Sequence, residues 1–215
     1  MTKDHDPLRL NLGCGPQPPP QGWVNVDNAL GAKFAKIPGF AFINHYLHVF
    51  KLQWDPSIVI HDLRTPFPWD DNSVDVIYSS HTLEHLTREE GRVFLSECAR
   101  ILRYHGLIRL LVPDLEVLVT RYRAGEVKAD EFIDALVIDY TSAQDGAFRK
   151  CLAPFLRAPH KCLYDTPLLS HILGELGVAV TSKAPFESEI DDIRAIESAE
   201  RTQGVIILEG RKISE

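Results

Sequence analysis

No run of apolar residues in this 215-residue chain approaches the roughly 18 that a helix needs to cross a bilayer, so no membrane span is expected. The opening MTKDHDPLRL lacks the apolar stretch of a secretory leader, which points to a cytoplasmic protein. Its four cysteines, Cys14, Cys98, Cys151 and Cys162, lie far apart and form no C-x-x-C pair; reduced thiols are the plain reading. His160-Lys161-Cys162, with Cys151 upstream, matches no ligand spacing of a structural zinc site. Basic residues are in deficit: 23 Lys and Arg stand against 30 Asp and Glu, and a net charge of −7 repels a phosphate backbone. Nucleic acid is therefore a poor default partner. Internal repeats and low-complexity tracts are lacking too. The one break in composition, GPQPPPQG from Gly15 to Gly22, is too short to link domains. What remains, 45% hydrophobic and 25% charged residues, is ordinary globular composition, and its length suits one domain over 1–215.

Short apolar runs supply the strands. Leu8 to Leu12, Trp23 to Asp27, Ser57 to His61, Val74 to Tyr78 and Gly106 to Pro113 are five, and Val178 to Ala184 and Val205 to Glu209 are two more. Most lack clean alternation, as strands buried on both faces do, and parallel strands of that kind need helical crossovers. Thr87 with Glu90 three residues later is a capping box, followed by Phe94, Cys98, Ile101 and Leu102 at helical spacing up to His105-Gly106. A second helix opens at Thr166 with Pro167 in its first position and runs to Gly177. Helices are also expected from near Asp114, from near Asp130 and around Phe42 to Leu52. The alternation predicts an α/β, doubly wound, mostly parallel, Rossmann-like sheet of seven strands. Insertions near 29–54 and 114–160 are candidates for a lid or an acceptor pocket, or simply for extra core cover.

His81-Thr82-Leu83-Glu84-His85 spells H-x-x-E-H, the pattern of inverted zinc peptidases. Those enzymes carry both histidines on one continuous helix. Here the string is squeezed between a strand ending at Tyr78 and a helix capped by Thr87, which leaves space for a loop with one short turn. The third, acidic ligand of a peptidase is not evident either. A turn could still bring both rings onto a metal without peptidase function, but no metal is assigned from sequence.

Topology gives these residues another meaning. In open α/β sheets ligands bind beyond the carboxyl ends of the strands. Gly13-Cys14-Gly15, Asp27, Asp62 and Ser79-Ser80-His81 all fall there, on four successive strands. A Gly-x-Gly turn lets a ligand approach the main chain. A carboxylate after the second strand suits a ribose diol, and one after the third suits an adenine amino group. Both NAD and S-adenosylmethionine present these groups. The dinucleotide fingerprint, however, requires a third glycine and an immediate helix whose N-terminus holds the pyrophosphate. Pro16, Pro18, Pro19 and Pro20 forbid a full helix, and Asp27 comes 12 positions after Gly15 instead of about 20. The proline run favours S-adenosylmethionine, which carries no phosphate. Asp27 and Asp62 could alternatively do no more than cap turns, and Cys14 reads as a small packing residue.

Leu10-Asn11-Leu12-Gly13-Cys14-Gly15, Asn25-Val26-Asp27, Asp62 with Pro66-Phe67-Pro68, and Ser73 through Leu86 resemble successive motifs of class I S-adenosylmethionine-dependent methyltransferases. With Arg100-Ile101-Leu102-Arg103 and Val112-Pro113-Asp114 they are similar to the type-11 group, in which the H-x-x-E-H string is usual after strand four. The resemblance covers residues 8 to 114 and, less closely, His160 to Gly177. It implies strand order 3-2-1-4-5-7-6 with strand seven antiparallel. It also implies that Gly13, Cys14 and Gly15 line the methionine moiety, that Asp27 holds the ribose, and that Asp62 and the Leu63 main chain address adenine, with Asn11 and Asn28 as further cofactor-binding candidates. Ser79 and His81 would lie near the sulfonium. Two departures stand out: the third small residue of the first motif is missing, and the first helix is abolished or reduced to a stub. Tyr104-His105-Gly106 also replaces the usual proline and two glycines.

Methyl transfer is an in-line displacement at an already activated carbon, so positioning supplies much of the catalysis. A base is needed when the acceptor arrives protonated, and His81, His85 and His160 are the candidates. No N-P-P-Y-like signature follows strand four, which argues against a DNA base or glutamine amide as acceptor. A small-molecule or glycan-like acceptor fits better. The alternatives are a non-catalytic binding or assembly domain of the same fold and, behind it, an NAD-dependent oxidoreductase.

Overall fold

A computed structural model describes residues 6–40, 42, 54–137 and 159–214. Seven strands form one sheet: β1 Arg9–Leu12, β2 Trp23–Asp27, β3 Val59–Ile60, β4 Val74–Ser80, β5 Leu102–Pro113, β6 Val178–Ser182 and β7 Val205–Lys212. Their order is β3-β2-β1-β4-β5-β7-β6. Pairing is parallel from β3 through β5, and β7 runs antiparallel to both β5 and β6. This is the architecture expected from the sequence.

Consecutive residues on the central strands serve opposite faces, which is why their runs are uniformly apolar. Ile77, Leu110, Ile206 and Leu208 join one core with Phe94, Leu95, Cys98, Leu169 and Leu173. Their neighbours Tyr78, Leu111 and Ile207 join a second core with Trp23, Ile190, Ile193 and Ile196. The helices in chain order are α1 Leu30–Ala35, α2 Arg88–Ile101, α3 Leu115–Arg123, α4 Ala129–Ala135, α5 Thr166–Glu175 and α6 Ile193–Ile196. No described helix is long and apolar enough to cross a membrane.

Local chemistry explains most element ends. The capping box is formed: Thr87 Oγ1 accepts from Glu90 N at 3.2 Å, and Glu90 Oε2 accepts from Thr87 N at 2.8 Å. Helix α2 ends at Ile101, four residues before the expected stop. The chain there passes directly into β5, and residues 103–106 form an excursion with His105 in a left-handed conformation (φ 61°). Helix α5 is capped by Asp165, whose Oδ1 accepts from Leu168 N at 2.8 Å, so Thr166 is its first residue and not its cap. Strand β3 has two residues instead of five. Helix α3 starts where expected, with Asp114 as its cap, while α1 forms a short helix that the sequence reading did not anticipate. The helix expected around Phe42 to Leu52 lies, except for residue 42, outside the described residues.

The second core contains a charge with no exposure. Arg109 of β5 bonds Glu197 Oε2 through Nε at 2.8 Å and Glu209 Oε2 through Nη1 at 2.9 Å, and all three side chains are fully buried. The carboxylates also accept main-chain N–H groups from Phe186 and Glu189, so the triad ties the irregular segment 184–197 to the sheet. Removing the guanidinium strands two buried carboxylates. Arg109→Met is therefore expected to cost about 3–5 kcal/mol in urea unfolding. A loss below about 1 kcal/mol would show that the carboxylates protonate or relax at little cost.

Candidate functional site

A cleft of about 400 Å³ opens over the carboxyl ends of β1 to β4. Its wall includes Gly13, Gly15, Asp27, Asn28, Asp62, Leu63, Arg64, His81, Thr82, His85, Lys161 and Arg201. The floor is the turn after β1. Residues 13–22 contain turns and extended chain but no helix, as the proline run requires.

Two glycines make this turn for different reasons. Both have positive φ, 75° at Gly13 and 64° at Gly15. A Cβ on Gly13 would lie 2.0 Å from Thr82 Oγ1, whereas one on Gly15 would meet nothing within 4 Å. Gly13 is thus the point where the β1 turn and the segment after β4 touch, and Gly15 leaves the cleft floor bare. Main-chain N–H groups of Gly13 and Cys14 donate to Val26 O at 2.8 and 3.3 Å. The Cys14 side chain points into a small core with Ala32 and Ile58, and burial, reinforced by the charge of Asp27, pushes its thiol up to about 12. It is no nucleophile at neutral pH.

The two acids do more than the sequence reading separated. Asp27 Oδ2 accepts from Gly15 N and Oδ1 from Ala29 N, each at 2.8 Å. It both caps the chain entering α1 and holds the glycine turn, while lining the cleft. Asp62 is gripped by Arg64, with Nε on Oδ1 at 2.8 Å and Nη2 on Oδ2 at 2.7 Å. Those bonds hold its carboxyl at about 2, so it is ionised throughout the physiological range.

The H-x-x-E-H string forms a single 3-10 turn, Leu83–His85, between β4 and α2. His81 sits in the left-handed region (φ 53°) with both ring nitrogens engaged: Nδ1 lies 3.1 Å from Glu84 Oε1, and Nε2 lies 3.0 Å from Arg201 O. Both partners are acceptors, so this geometry uses each ring nitrogen as a donor and offers no lone pair for a base; the Glu84 contact also raises the ring's pKa. His85 Nδ1 lies 3.2 Å from Pro159 O; a carbonyl can only accept, so this nitrogen carries the proton and Nε2 keeps the lone pair. His160 lies beside it, ring centroids 5.2 Å apart, and its burial lowers its pKa.

Of the sequence-expected site residues, Gly13, Gly15, Asp27, Asn28, Asp62, Leu63, His81 and His85 meet at the cleft. Asn11, Cys14 and Ser79 are buried beneath it: Asn11 bonds Asn25 at 3.0 Å and Ser79 Oγ bonds Leu12 O at 2.9 Å. Arg64, Thr82, Lys161 and Arg201 were missed. The Asp-x-Arg spacing hinted at Arg64; nothing local marks Arg201, which arrives by packing from beyond α6.

Residues 22–110 match the family described as "Methyltransferase domain", of type 11. Over that segment the chain is similar to a methyltransferase domain. No curated protein matches the chain by sequence. Two solved structures share the fold. One is a chain of the complex between the Haloferax volcanii Trm112 methyltransferase activator and a methyltransferase, at 14% identity and TM-score 0.51, covering 100% of this chain and 86% of that one. The other is the YcgJ protein of Bacillus subtilis, at 15% identity and TM-score 0.50, covering 98% of this chain and 94% of that one.

The two glycines of the β1 turn are separable by stability. Gly15→Ala should cost about 1 kcal/mol, for left-handed strain alone. Gly13→Ala adds the collision with Thr82 and should cost about 3 kcal/mol or more in the same urea titration. Equal costs would mean that the turn moves away from Thr82 freely.

Proposed function

We propose that the chain transfers the methyl group of S-adenosylmethionine by in-line displacement to a small-molecule or glycan-like acceptor. The observation that carries this reading is the cleft itself. Its glycine turn is followed by no helix, and acids stand at the ends of β2 and β3. A pyrophosphate would want a helix N-terminus there. A nucleoside with an amino-acid tail wants carboxylates, bare main chain and a cation.

Asp27 would accept the ribose hydroxyls, since each carboxylate oxygen holding one N–H bond keeps acceptor capacity. Asp62, fixed in place by Arg64, and the Leu63 main chain would face adenine. Arg201 would meet the carboxylate of the methionine tail. In the reaction a lone pair of the acceptor forms the bond to the methyl carbon as the carbon–sulfur bond breaks, and the electrons return to sulfur to give neutral S-adenosylhomocysteine. Of the three candidate histidines, His85 both lines the cleft and keeps a lone-pair nitrogen, so acceptor deprotonation belongs to its end of the cleft.

Calorimetric titration is expected to show binding of S-adenosylmethionine and S-adenosylhomocysteine but not NAD. Asp27→Asn should weaken binding by about tenfold or more, because it removes the charge from a hydrogen-bonding acceptor. Unchanged affinity in both Asp27→Asn and Arg201→Ala would remove this placement of the cofactor. Cofactor binding without methylated product, in a mass-detected screen across acceptor classes, would favour a non-catalytic assembly domain.

A further inference from the structure

The turn after β4 contains a buried polar atom that the methyl-transfer reading leaves unanswered. Glu84 has no exposure, yet only its Oε1 is engaged, with His81; its Oε2 is buried without a hydrogen-bond partner. A second buried polar atom, His160 Nδ1, is also unpartnered. His85, whose ring centroid is 5.2 Å from that of His160, presents the Nε2 lone pair left over from its bond to Pro159. One donor atom from each of the three lies within 4.8 Å of the others. Buried polar atoms in native structures are nearly always satisfied, and a buried carboxylate with an orphan oxygen, grouped with two imidazoles, calls for a cation.

We propose that Glu84, His85 and His160 form a site for a divalent transition-metal ion of zinc's ligand preference, at the acceptor end of the cleft. Two imidazoles and a carboxylate are the ligand set of an open zinc site, whereas magnesium and calcium favour oxygen throughout. The supports that such ligands need are present: Pro159 O orients the His85 ring through Nδ1–H, and His81 fixes the other Glu84 oxygen. Donors bound at about 2.1 Å to one tetrahedral ion lie roughly 3.4 Å apart, so the three close on the ion by side-chain rotation. His85 and His160, both only partly buried, have the freedom to do so. The third ligand comes from 75 positions beyond His85, not from a neighbouring helix, and Glu84 is a ligand here, so the site is no inverted peptidase.

Its role rests on the methyl-transfer reading. His85 lines the cleft, so a fourth coordination position is reachable from it. A hydroxyl acceptor bound there loses its proton to solvent at a lowered pKa, and the metal-bound oxygen then attacks the methyl carbon. Hydroxyl compound and sulfonium become methyl ether, S-adenosylhomocysteine and one proton. The acceptor class is thus an oxygen nucleophile, and the ion takes over the work of a free base.

The full chain, stripped with chelator, is titrated with Zn²⁺ by calorimetry, and loading with Co²⁺ is followed by visible absorption. One equivalent per chain is expected. His85→Ala and His160→Ala should each weaken it on the order of 100-fold, whereas His171→Ala, at an exposed position outside the cluster, should leave it unchanged. Circular dichroism confirms that the variants are folded. Absence of uptake, or uptake that neither His85→Ala nor His160→Ala weakens, would overturn the site. S-adenosylhomocysteine is titrated into the same stripped samples. S-adenosylhomocysteine binding without zinc uptake sinks the metal and spares the methyltransferase reading; zinc uptake without it keeps the site and removes its role.

Discussion

Glu84 is the constraint on which the cleft depends. Its carbonyl accepts from Lys161 N at 2.7 Å and Cys162 N at 3.2 Å, and its Oε1 holds the His81 ring, whose Nε2 reaches the carbonyl of Arg201. Three stretches of chain, after β4, before α5 and before β7, converge on this one buried residue. A carboxylate placed in a dry interior is costly unless every lone pair is answered, and that cost makes the arrangement specific. The backbone bears part of the strain at His81, a non-glycine residue held at positive φ between two anchored rings of contacts.

The same economy governs the end of the cleft beside β2 and β3. Asp27 cannot be assigned to architecture or to recognition alone, because its bonds to Gly15 N and Ala29 N aim the carboxylate that lines the cleft. Holding the turn and facing the cleft, alternatives in the sequence, go together in the fold. Asp62 differs. Its two oxygens are matched by a guanidinium at 2.8 and 2.7 Å, so a ligand there meets an ion pair, with donor and acceptor side by side. The loop that follows is fastened from behind by Arg100, which reaches Glu97, Asp71 and the carbonyls of Phe67 and Trp69.

Legibility in the sequence followed the range of the interaction. The capping box of α2, the absence of a helix after β1 and the strand ends bearing Gly13, Asp27 and Asp62 were all readable, because each depends on residues within a few positions. Strand order rested on family resemblance. Whatever depends on contacts between distant segments was opaque: the fit of Gly13 against Thr82, the arrival of Arg201, and the pairing of His160 with His85. The H-x-x-E-H string shows the limit clearly. Its spacing was readable and its conformation was inferred, yet its third companion comes from 75 positions downstream, where no local signal marks it.

Charge discriminates between the two adenosine-containing ligands more firmly than glycines do. The chain is acidic overall, at −7, but the cleft brings Arg64, Lys161 and Arg201 together with Asp27 and Asp62. Arg64 is partnered by Asp62 and Glu90, and Lys161 by Glu90, so most of that positive charge is already matched locally. A dianionic pyrophosphate would find neither an excess of cations nor the oriented amides of a helix start. A ligand with one carboxylate, one ammonium, one sulfonium and a neutral nucleoside finds partners of both signs, spaced along one cleft. The proline run thus has an electrostatic consequence: by denying the chain a helix after β1, it withdraws the dipole that would have drawn phosphate and leaves side-chain charges to choose the ligand.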